Sequence, residues 1–112
     1  MGAPAAGSVV LVSFPFSDLT RSKRRPALVL ASVGRDDFLL CQITSNPYSD
    51  PRAIELSGQD FAEGSLHRTS YVRPGKLFTA HQSLISETVG KLAQTSQEKV
   101  VQAVVALISD GQ

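Results

Sequence analysis

A run of basic residues, Lys23-Arg24-Arg25-Pro26, is the strongest chemical signal in the sequence. Proline restricts the residue before it to extended backbone, so Arg25 is held extended at the start of a strand. Its guanidinium is planar and always charged, which suits two-point hydrogen bonding to a phosphate group. Arg25 is therefore a candidate phosphate-binding residue. The alternative is that the run is only a solvated basic loop.

A threonine and two histidines are the next candidates. Thr44 ends an apolar segment just before Ser45. Its hydroxyl is expected at a sheet margin, where it can hydrogen-bond a phosphate oxygen, although a surface threonine in a strand would look the same. His67 and His81 can act as base or acid near pH 7. Their separation of fourteen residues carries no catalytic spacing, so two ordinary surface histidines are the alternative.

The sequence lacks the patterns that hold a metal ion or a cofactor. No metal-ligand spacing, phosphate-binding glycine loop or nucleophile elbow is present. Cys41 lies within an apolar strand and is expected in the core. A single cysteine excludes a disulfide framework and a structural zinc site of the multi-cysteine kind. We therefore expect no metal and no cofactor.

The charge of the 112-residue chain is unevenly distributed. Eleven Lys and Arg against ten Asp and Glu give a net charge of +1, which taken whole argues against a nucleic-acid partner. Residues 15–25 and residues 64–86 nevertheless each carry a net charge of +3, and the remainder is acidic. If the fold brings these two segments together, they form a local anion-binding surface.

The composition, 42% hydrophobic and 19% charged, is typical of one globular domain. The longest uncharged apolar run, residues 100–108, is too short to span a bilayer. No signal-peptide pattern opens the chain. We expect a cytoplasmic protein without membrane contact, with a flexible lead over residues 1–7 and a single domain over residues 8–110.

Short strands and one helix must position the candidate residues. β-Branched and aromatic segments predict strands over residues 8–14, 26–31, 38–44, 53–56, 70–73, 77–78 and 88–92, with turns at 34–37 and at Pro74-Gly75. A helix is predicted to begin with capping-box spacing from Thr95 to Glu98 and to carry an apolar stripe that ends at Ile108. This pattern is typical of a mainly β fold with a C-terminal α-helix, arranged as a small antiparallel barrel or half-barrel.

Three segments together resemble the MazF/PemK-like growth inhibitors, the toxins of type II toxin–antitoxin modules. They are residues 7–16, residues 22–30 with the basic run, and Gln42-Ile43-Thr44, and the similarity continues in order to the final helix. The resemblance implies a small SH3-like antiparallel β-barrel and a homodimer. It implies cleavage of single-stranded RNA without a metal, by attack of the 2′-hydroxyl on the adjacent phosphodiester, which leaves 2′,3′-cyclic phosphate and 5′-hydroxyl ends. It also implies a cognate antitoxin protein that threads a disordered segment through the dimer groove.

The resemblance assigns catalysis to Arg25 and Thr44, and we expect RNA contacts from Lys23, Arg24, Ser45, His67, Arg68, Ser70 and Arg73. Because an arginine does not readily lose its proton, Arg25 is expected to stabilise phosphate charge rather than to act as the base. Many family members carry a Ser-Glu-Gln-like stretch where this chain has residues 20–23, and some carry an acid near Ser70. His67 is the candidate substitute base.

Two other functions fit the same architecture. Gyrase-poisoning toxins of this fold class depend on a C-terminal tail that contains tryptophan, and this chain has no tryptophan. A non-catalytic barrel that binds RNA or protein is disfavoured by the presence of both Arg25 and Thr44. The endoribonuclease toxin is therefore the preferred prediction.

Overall fold

The structure, a computed structural model, describes residues 3–15, 22–47 and 49–111. Within these ranges the chain forms seven strands and one α-helix. Their bounds are β1 (Ser8–Pro15), β2 (Ser22–Gly34), β3 (Asp37–Thr44), β4 (Ile54–Leu56), β5 (Phe61–Gly64), β6 (Ser70–His81), β7 (Ile85–Leu92) and α1 (Gln94–Asp110), with short 3-10 turns at Gly58–Asp60 and Gln82–Leu84. The predicted mainly β fold with a C-terminal helix is confirmed.

The strands form one antiparallel sheet that curls into a half-barrel, in the order β4-β6-β3-β2-β1-β7-β5. Apolar side chains pack on both of its faces, since the sequence neighbours Val9 and Val10 belong to different core clusters. Continuous apolar runs, rather than strict alternation, are what a sheet covered on both faces requires. The cluster that contains Val9, Leu28 and Ile43 also contains Val100 of α1, so the helix closes that face.

A two-residue turn joins β2 to β3, as predicted. Gly34 pairs with Asp37, and Arg35 and Asp36 between them have φ angles of 54° and 61°. Positive φ at both central residues is the mark of a type I′ turn, whose twist matches that of the strands it connects. The turn therefore fixes the register of β3 against β2.

β2 begins earlier than the sequence predicts. The strand starts at Ser22 and pairs with the end of β1, so that Arg25 lies opposite Val12. Pro26 lies inside the strand, one residue before the pairing with β3 begins at Ala27. A proline is tolerated where no ladder hydrogen bond is required of it. The basic run therefore belongs to a strand, and the alternative that it forms a loop is wrong for residues 22–25, although Arg24 is about half exposed. Residues 16–21, between the two strands, lie outside the described ranges.

The turn predicted at Pro74-Gly75 is also wrong, because β6 continues through it. The pairing of β6 with β3 is interrupted there, and residues 73–76 lie opposite Gln42 alone. Such a bulge accepts proline and glycine because its residues are released from the ladder of hydrogen bonds. A sequence that is typical of a turn therefore lies within one long strand here.

The first turn of α1 is held by a residue distant in sequence. The helix begins at Gln94, so Thr95 lies inside it and the predicted capping box is wrong. Asp60, from the 3-10 turn before β5, supplies the partners instead. Its carbonyl accepts the N–H of Ala93 at 2.8 Å, and its carboxylate accepts the hydroxyl of Ser96 at 2.7 Å.

The apolar stripe of α1 is shorter than predicted. Val100 and Val104 are buried, whereas Ile108 is 66% exposed. With 3.6 residues per turn, Ile108 lies about 80° around the helix axis from Val100, beyond the side that the sheet covers. Ile108 is therefore a surface residue of the protomer.

One further strand and one turn residue outside the predicted strands also form backbone hydrogen bonds with the sheet. Residues 61–64, expected to lie in a long connection, form β5 at one edge. The backbone of Gly7 donates to the carbonyl of Val29 and accepts from the N–H of Leu92. The division into a flexible lead over residues 1–7 and a domain over residues 8–110 stays a prediction.

Candidate functional site

An open pocket of about 270 Å³ lies at the end of β3, beside β1, β2 and the start of β6. The described residues that line it are four apolar and five polar: Leu11, Pro26, Ile43 and Leu66, and Arg25, Thr44, Ser45, Arg68 and Ser70. Both residues predicted to be catalytic and three of those predicted to contact RNA lie in this lining. Residues far apart in sequence are thus brought to one place.

The two basic segments of the chain meet at this pocket. Arg25 comes from the first segment and Arg68 from the second, and none of the nine described lining residues is acidic. Ser70 is only 3% exposed and donates its hydroxyl to the carbonyl of Arg68 at 3.3 Å. Two guanidinium groups without a carboxylate in the lining attract an anion. The pocket is therefore suited to a phosphate group.

The β1–β2 hairpin positions Arg25. Successive side chains of a strand point to opposite faces, so Arg24 and Arg25 are directed differently. The half-buried Arg25 lines the pocket. Arg24 instead forms an ion pair with Glu87 of β7 at 2.9 Å, in which both side chains are about half exposed. Such exposed pairs contribute about 0–1 kcal/mol, so Arg24 is only weakly held there.

A turn in the backbone orients the hydroxyl of Thr44. The Oγ1 atom accepts the N–H of Asn46 at 3.1 Å and donates to the carbonyl of the same residue at 3.1 Å. This local arrangement is typical of threonine at the start of a turn. A phosphate oxygen can replace the Asn46 carbonyl as the acceptor while the Asn46 N–H stays bonded. The hydroxyl is thus prepared to donate to an anion in the pocket.

Arg73 lies outside the described lining of the pocket. Its Nε donates to Asp50 Oδ2 at 2.9 Å, and its second nitrogen donates to Gln42 Oε1 at 3.4 Å. The two charged side chains are 18% and 15% exposed. The hydrogen bond from Arg73 is the main reason that the pKa of Asp50 lies below its usual value. Arg73 is therefore directed towards partners within the protein.

Two other residues predicted to contact RNA are not placed in the pocket by the described structure. His67 is exposed and has a φ of 63°, a left-handed conformation that is uncommon outside glycine. Its backbone N–H donates to Ser65 Oγ at 2.8 Å. The backbone of Lys23 lies opposite Phe14 in the hairpin, and its side chain lies outside what the structure describes.

Sequence reasoning missed the apolar part of the pocket and the partner of Arg73. Two of the apolar residues adjoin the catalytic candidates in sequence, since Pro26 follows Arg25 and Ile43 precedes Thr44. That adjacency was the available signal. Asp50 had no such signal, because it lies 23 residues from Arg73.

Cys41 lies in the core, as predicted, and its thiol donates to the carbonyl of Arg73 at 2.9 Å. Burial raises the pKa of this thiol to about 12. It stays protonated at neutral pH and does not serve as a nucleophile. Among the described residues, no three His, Cys, Asp or Glu side chains lie close enough together to hold a metal ion. The described part of the chain contains no helix with the length and apolar character needed to cross a membrane.

A larger cleft of about 490 Å³ lies between β5, β7 and the start of α1. Its lining mixes Lys91 with Glu63 and Glu98, so charges of opposite sign partly cancel there. None of the residues with predicted chemical roles is in that lining. The smaller pocket is therefore the candidate site.

A curled antiparallel half-barrel with a C-terminal helix is the architecture of the MazF fold. The family model described as the PemK-like, MazF-like toxin of type II toxin-antitoxin system matches residues 5–108. Because that match covers most of the chain, the protein belongs to this toxin family. The resemblance found in its sequence is confirmed.

Solved structures share this fold over nearly the whole chain. A MazE-MazF complex from Deinococcus radiodurans is 20% identical, with a TM-score of 0.78 over 97% of this chain and 98% of that one. An endoribonuclease in complex with its cognate antitoxin from Mycobacterial species is 15% identical, with a TM-score of 0.74 over 97% and 96%. The Mycobacterium tuberculosis toxin MazF-mt6 is 13% identical, with a TM-score of 0.70 over 91% and 96%. No protein of curated function matches the sequence.

Proposed function

We propose that this toxin is a sequence-selective endoribonuclease that cleaves single-stranded RNA without a metal ion and so inhibits translation and growth. The observation that carries the proposal is the pocket whose described lining brings Arg25, Arg68 and Thr44 together and includes no acidic residue. Such a set can bind a phosphodiester and stabilise the charge that builds during attack on it. Support also comes from structural neighbours that are named as endoribonucleases.

The proposed reaction is attack by a 2′-hydroxyl on the adjacent phosphorus. The 2′-oxygen forms a bond to phosphorus while the bond from phosphorus to the 5′-oxygen of the next nucleotide breaks. The products are a 2′,3′-cyclic phosphate and a 5′-hydroxyl. A base takes the proton of the attacking hydroxyl, and the leaving oxygen gains a proton.

Each residue has a definite part in this step. Arg25 donates N–H groups to the non-bridging oxygens and a hydrogen bond to the leaving oxygen while it keeps its own protons, and Thr44 donates one further hydrogen bond. Arg25 is not the base, because a guanidinium does not lose its proton in a protein. None of the nine described lining residues has a carboxylate or an imidazole, so the base lies outside them. His67 as that base stays a prediction.

The pocket suits one unpaired nucleotide. Its apolar side chains offer contact to the face of a base: Leu11, Pro26, Ile43 and Leu66. The hydroxyls of Ser45 and Ser70 lie in the same lining and can bind the sugar or the edge of a base. Bases in a duplex are stacked and keep such faces hidden, which favours a single strand as substrate. RNA contacts by Lys23, Arg24, His67 and Arg73 stay predictions.

The proposal includes a cognate antitoxin and a homodimer. Antitoxin binding is supported by the solved complexes of MazE with MazF and of an endoribonuclease with its cognate antitoxin. The positive charge of the pocket favours an acidic segment of that antitoxin. The proposed location is the cytoplasm, where messenger RNA is translated. A stable monomer in sedimentation at micromolar concentration would contradict the dimer.

The test is cleavage of a long single-stranded RNA in EDTA. The wild-type protein is expected to cut at defined positions and to leave cyclic phosphate and 5′-hydroxyl ends. Arg25→Ala should slow cleavage by about 10²–10³-fold, the usual cost of removing a group that stabilises the developing charge. Lys99→Ala removes an exposed positive charge from α1 and should cut at the wild-type rate.

The outcomes separate the competing functions. Absence of cleavage by the wild-type protein, or undiminished cleavage by Arg25→Ala, contradicts the catalytic proposal. Fragments with 3′-hydroxyl ends would exclude attack by the 2′-hydroxyl. Stalled gyrase complexes would indicate the gyrase-poisoning class of toxin, and RNA binding without cleavage would indicate a non-catalytic barrel.

A further inference from the structure

The segment that follows Thr44 crosses over β6. Both β3 and β4 are antiparallel to β6 and lie on either side of it. Thr44, at the end of β3, lies opposite Tyr71, while Ile54, at the start of β4, lies opposite Val72. The chain must therefore pass from one side of β6 to the other between Thr44 and Ile54, and the described residues of this crossing segment are 45–47 and 49–53. Thr44 is the last residue of β3 before this crossing segment.

Asp50 holds the crossing segment through four hydrogen bonds. Its N–H donates to the carbonyl of Pro47 at 2.9 Å, and its carbonyl accepts the N–H of Ala53 at 3.1 Å. One carboxylate oxygen accepts the N–H of Arg52 at 2.9 Å, and the other accepts Arg73 Nε at 2.9 Å. Three of these bonds shape the segment itself. The fourth fastens the segment to β6.

Arg73 connects the crossing segment to β3 as well. The bulge in β6 places this residue opposite Gln42, whose side-chain oxygen accepts a hydrogen bond from its guanidinium. Alternate residues of a strand share a face, so Gln42 lies on the same face of β3 as Thr44. The guanidinium is largely shielded from water, and charge-assisted hydrogen bonds in such surroundings are the stronger kind. Arg73 thus joins three parts of the chain, which are β6, β3 and the crossing segment.

A short path leads from this ion pair to the hydroxyl of Thr44. The N–H of Asp50 donates a hydrogen bond to the carbonyl of Pro47. Asn46 lies directly before Pro47, and its N–H donates to Thr44 Oγ1. The orientation of that N–H sets the direction in which the hydroxyl can donate. Loss of the ion pair would remove the bond that fastens this segment to β6 and leave only the bonds within the segment.

We infer that Asp50 and Arg73 form a positioning pair that holds Thr44 in its reactive orientation, and that Arg73 acts through Asp50 rather than by binding an RNA phosphate. The inference rests on the proposed endoribonuclease function, because it assigns Thr44 a part in that reaction. Arg73 therefore has a different role from Arg25 and Arg68, which line the pocket.

The test combines kinetics with a cycle of variants. Asp50→Asn removes the charge but keeps an oxygen that can accept from Arg52, and Arg73→Ala removes the other partner. Each should lower kcat by about tenfold or more and leave KM within about threefold, since a displaced catalytic group slows the step without removing substrate contacts. The double variant should be no slower than either single one, because partners in one interaction are not additive. Glu55→Gln, an exposed carboxyl change on β4, is the matched control and should behave as wild type.

Salt dependence distinguishes positioning from phosphate binding. A residue that contacts a phosphate of single-stranded RNA adds about 0.7 to the slope of log affinity against log salt concentration. Arg73→Ala should leave that slope unchanged. A slope reduced by about 0.7, or tighter RNA binding by Asp50→Asn with normal kcat, would overturn the inference. Arg73→Lys, which keeps the charge without the forked donors, provides a second variant if Arg73→Ala does not fold.

Hydrogen exchange separates failure of this inference from failure of the proposed function. The Asn46 amide should exchange faster in Asp50→Asn than in wild type, while amides in the middle of β2 and β3 stay unchanged. If the wild-type protein cuts no RNA, the proposed function fails, and the positioning of Thr44 is then judged on the exchange rate alone. Unchanged exchange at Asn46 would overturn the positioning pair even in an active enzyme.

Discussion

Asp60 connects the 3-10 turn before β5 to α1, and its substitution is a quantitative test of how the helix is attached. Its Oδ2 accepts the N–H of Ser57 at 2.8 Å and the hydroxyl of the same residue at 3.3 Å. Its Oδ1 accepts the hydroxyl of Ser96 at 2.7 Å. Asp60→Ala removes all of these acceptors at once.

The size of the effect follows from the burial of the donors. A hydrogen bond to a charged group contributes about 1.5–3 kcal/mol, and less where water can take its place. Ser96 is only 9% exposed and would lose its partner, whereas the half-buried Ser57 can turn towards solvent. We expect Asp60→Ala to lower the free energy of unfolding by about 3 kcal/mol. For a domain of this size the Tm should fall by about 10 °C.

The same carboxylate makes stability depend on pH. The pKa of Asp60 is lowered, mainly by the hydrogen bond from the N–H of Ser57. A carboxyl whose pKa is lower in the folded state contributes stability that is present above its unfolded pKa of about 3.9 and is lost as the pH falls through the folded value. Asp60→Asn should therefore be less stable than wild type at pH 7. This difference should shrink below about pH 4.

The assay is urea unfolding followed by circular dichroism, at one fixed protein concentration because dimer formation would add to the apparent stability. Glu55→Gln, the exposed control on β4, should change stability by less than about 0.5 kcal/mol. Equal unfolding midpoints for wild type and Asp60→Ala at pH 7 would refute the reasoning. A constant gap between wild type and Asp60→Asn down to pH 3 would refute the part that concerns the pKa.

Three further predictions concern single positions. Thr44→Val should lower kcat for RNA cleavage by about 10²-fold whereas Thr44→Ser keeps most of it, and equal rates would remove the hydroxyl from the mechanism. Native Cys41 should resist a thiol reagent at pH 8 until urea unfolds the protein, and rapid native labelling would contradict its burial. Gly64→Ala should cost more than about 2 kcal/mol in urea unfolding, because a Cβ atom there would lie 2.1 Å from the carbonyl of Val89 at a φ of 70°. Gly58→Ala, which meets no atom within 4 Å, is its control.

Much of the site could be predicted because its residues lie in short segments whose sequence indicates a chemical role. Arg25 is indicated by the basic run and the proline after it, whereas the local signal for Thr44 is weak and its assignment depends on the resemblance to the family. The charge distribution pointed to a meeting of two segments, and Arg25 and Arg68 do line one pocket. The roles of these residues in catalysis stay proposals.

The wrong structural predictions arise where a residue distant in sequence determines the local structure. Pro74-Gly75 is a normal turn sequence, but pairing with β3 keeps the strand continuous and leaves these residues in a bulge. Thr95 has the spacing of a capping residue, but Asp60 binds the first turn of the helix from 36 residues before Ser96. No pattern in either neighbourhood indicates such a partner. These outcomes depend on contacts between segments that are far apart in sequence.

Because the sheet buries apolar side chains on both faces, a shift of β3 could move Thr44 out of the candidate site. Where only one face is buried, a one-residue slip of a strand exposes its apolar side chains and is strongly opposed. Here both faces are covered, so hydrophobicity alone resists such a slip of β3 weakly, and the turn at Arg35 and Asp36 has to set the alignment. Deletion of one of these two residues would shift β3 by one position, turn Thr44 to the opposite face and direct Gln42 towards the face that Cys41 and Ile43 now fill. The placement of Thr44 in the candidate site therefore depends on the length of the turn between β2 and β3.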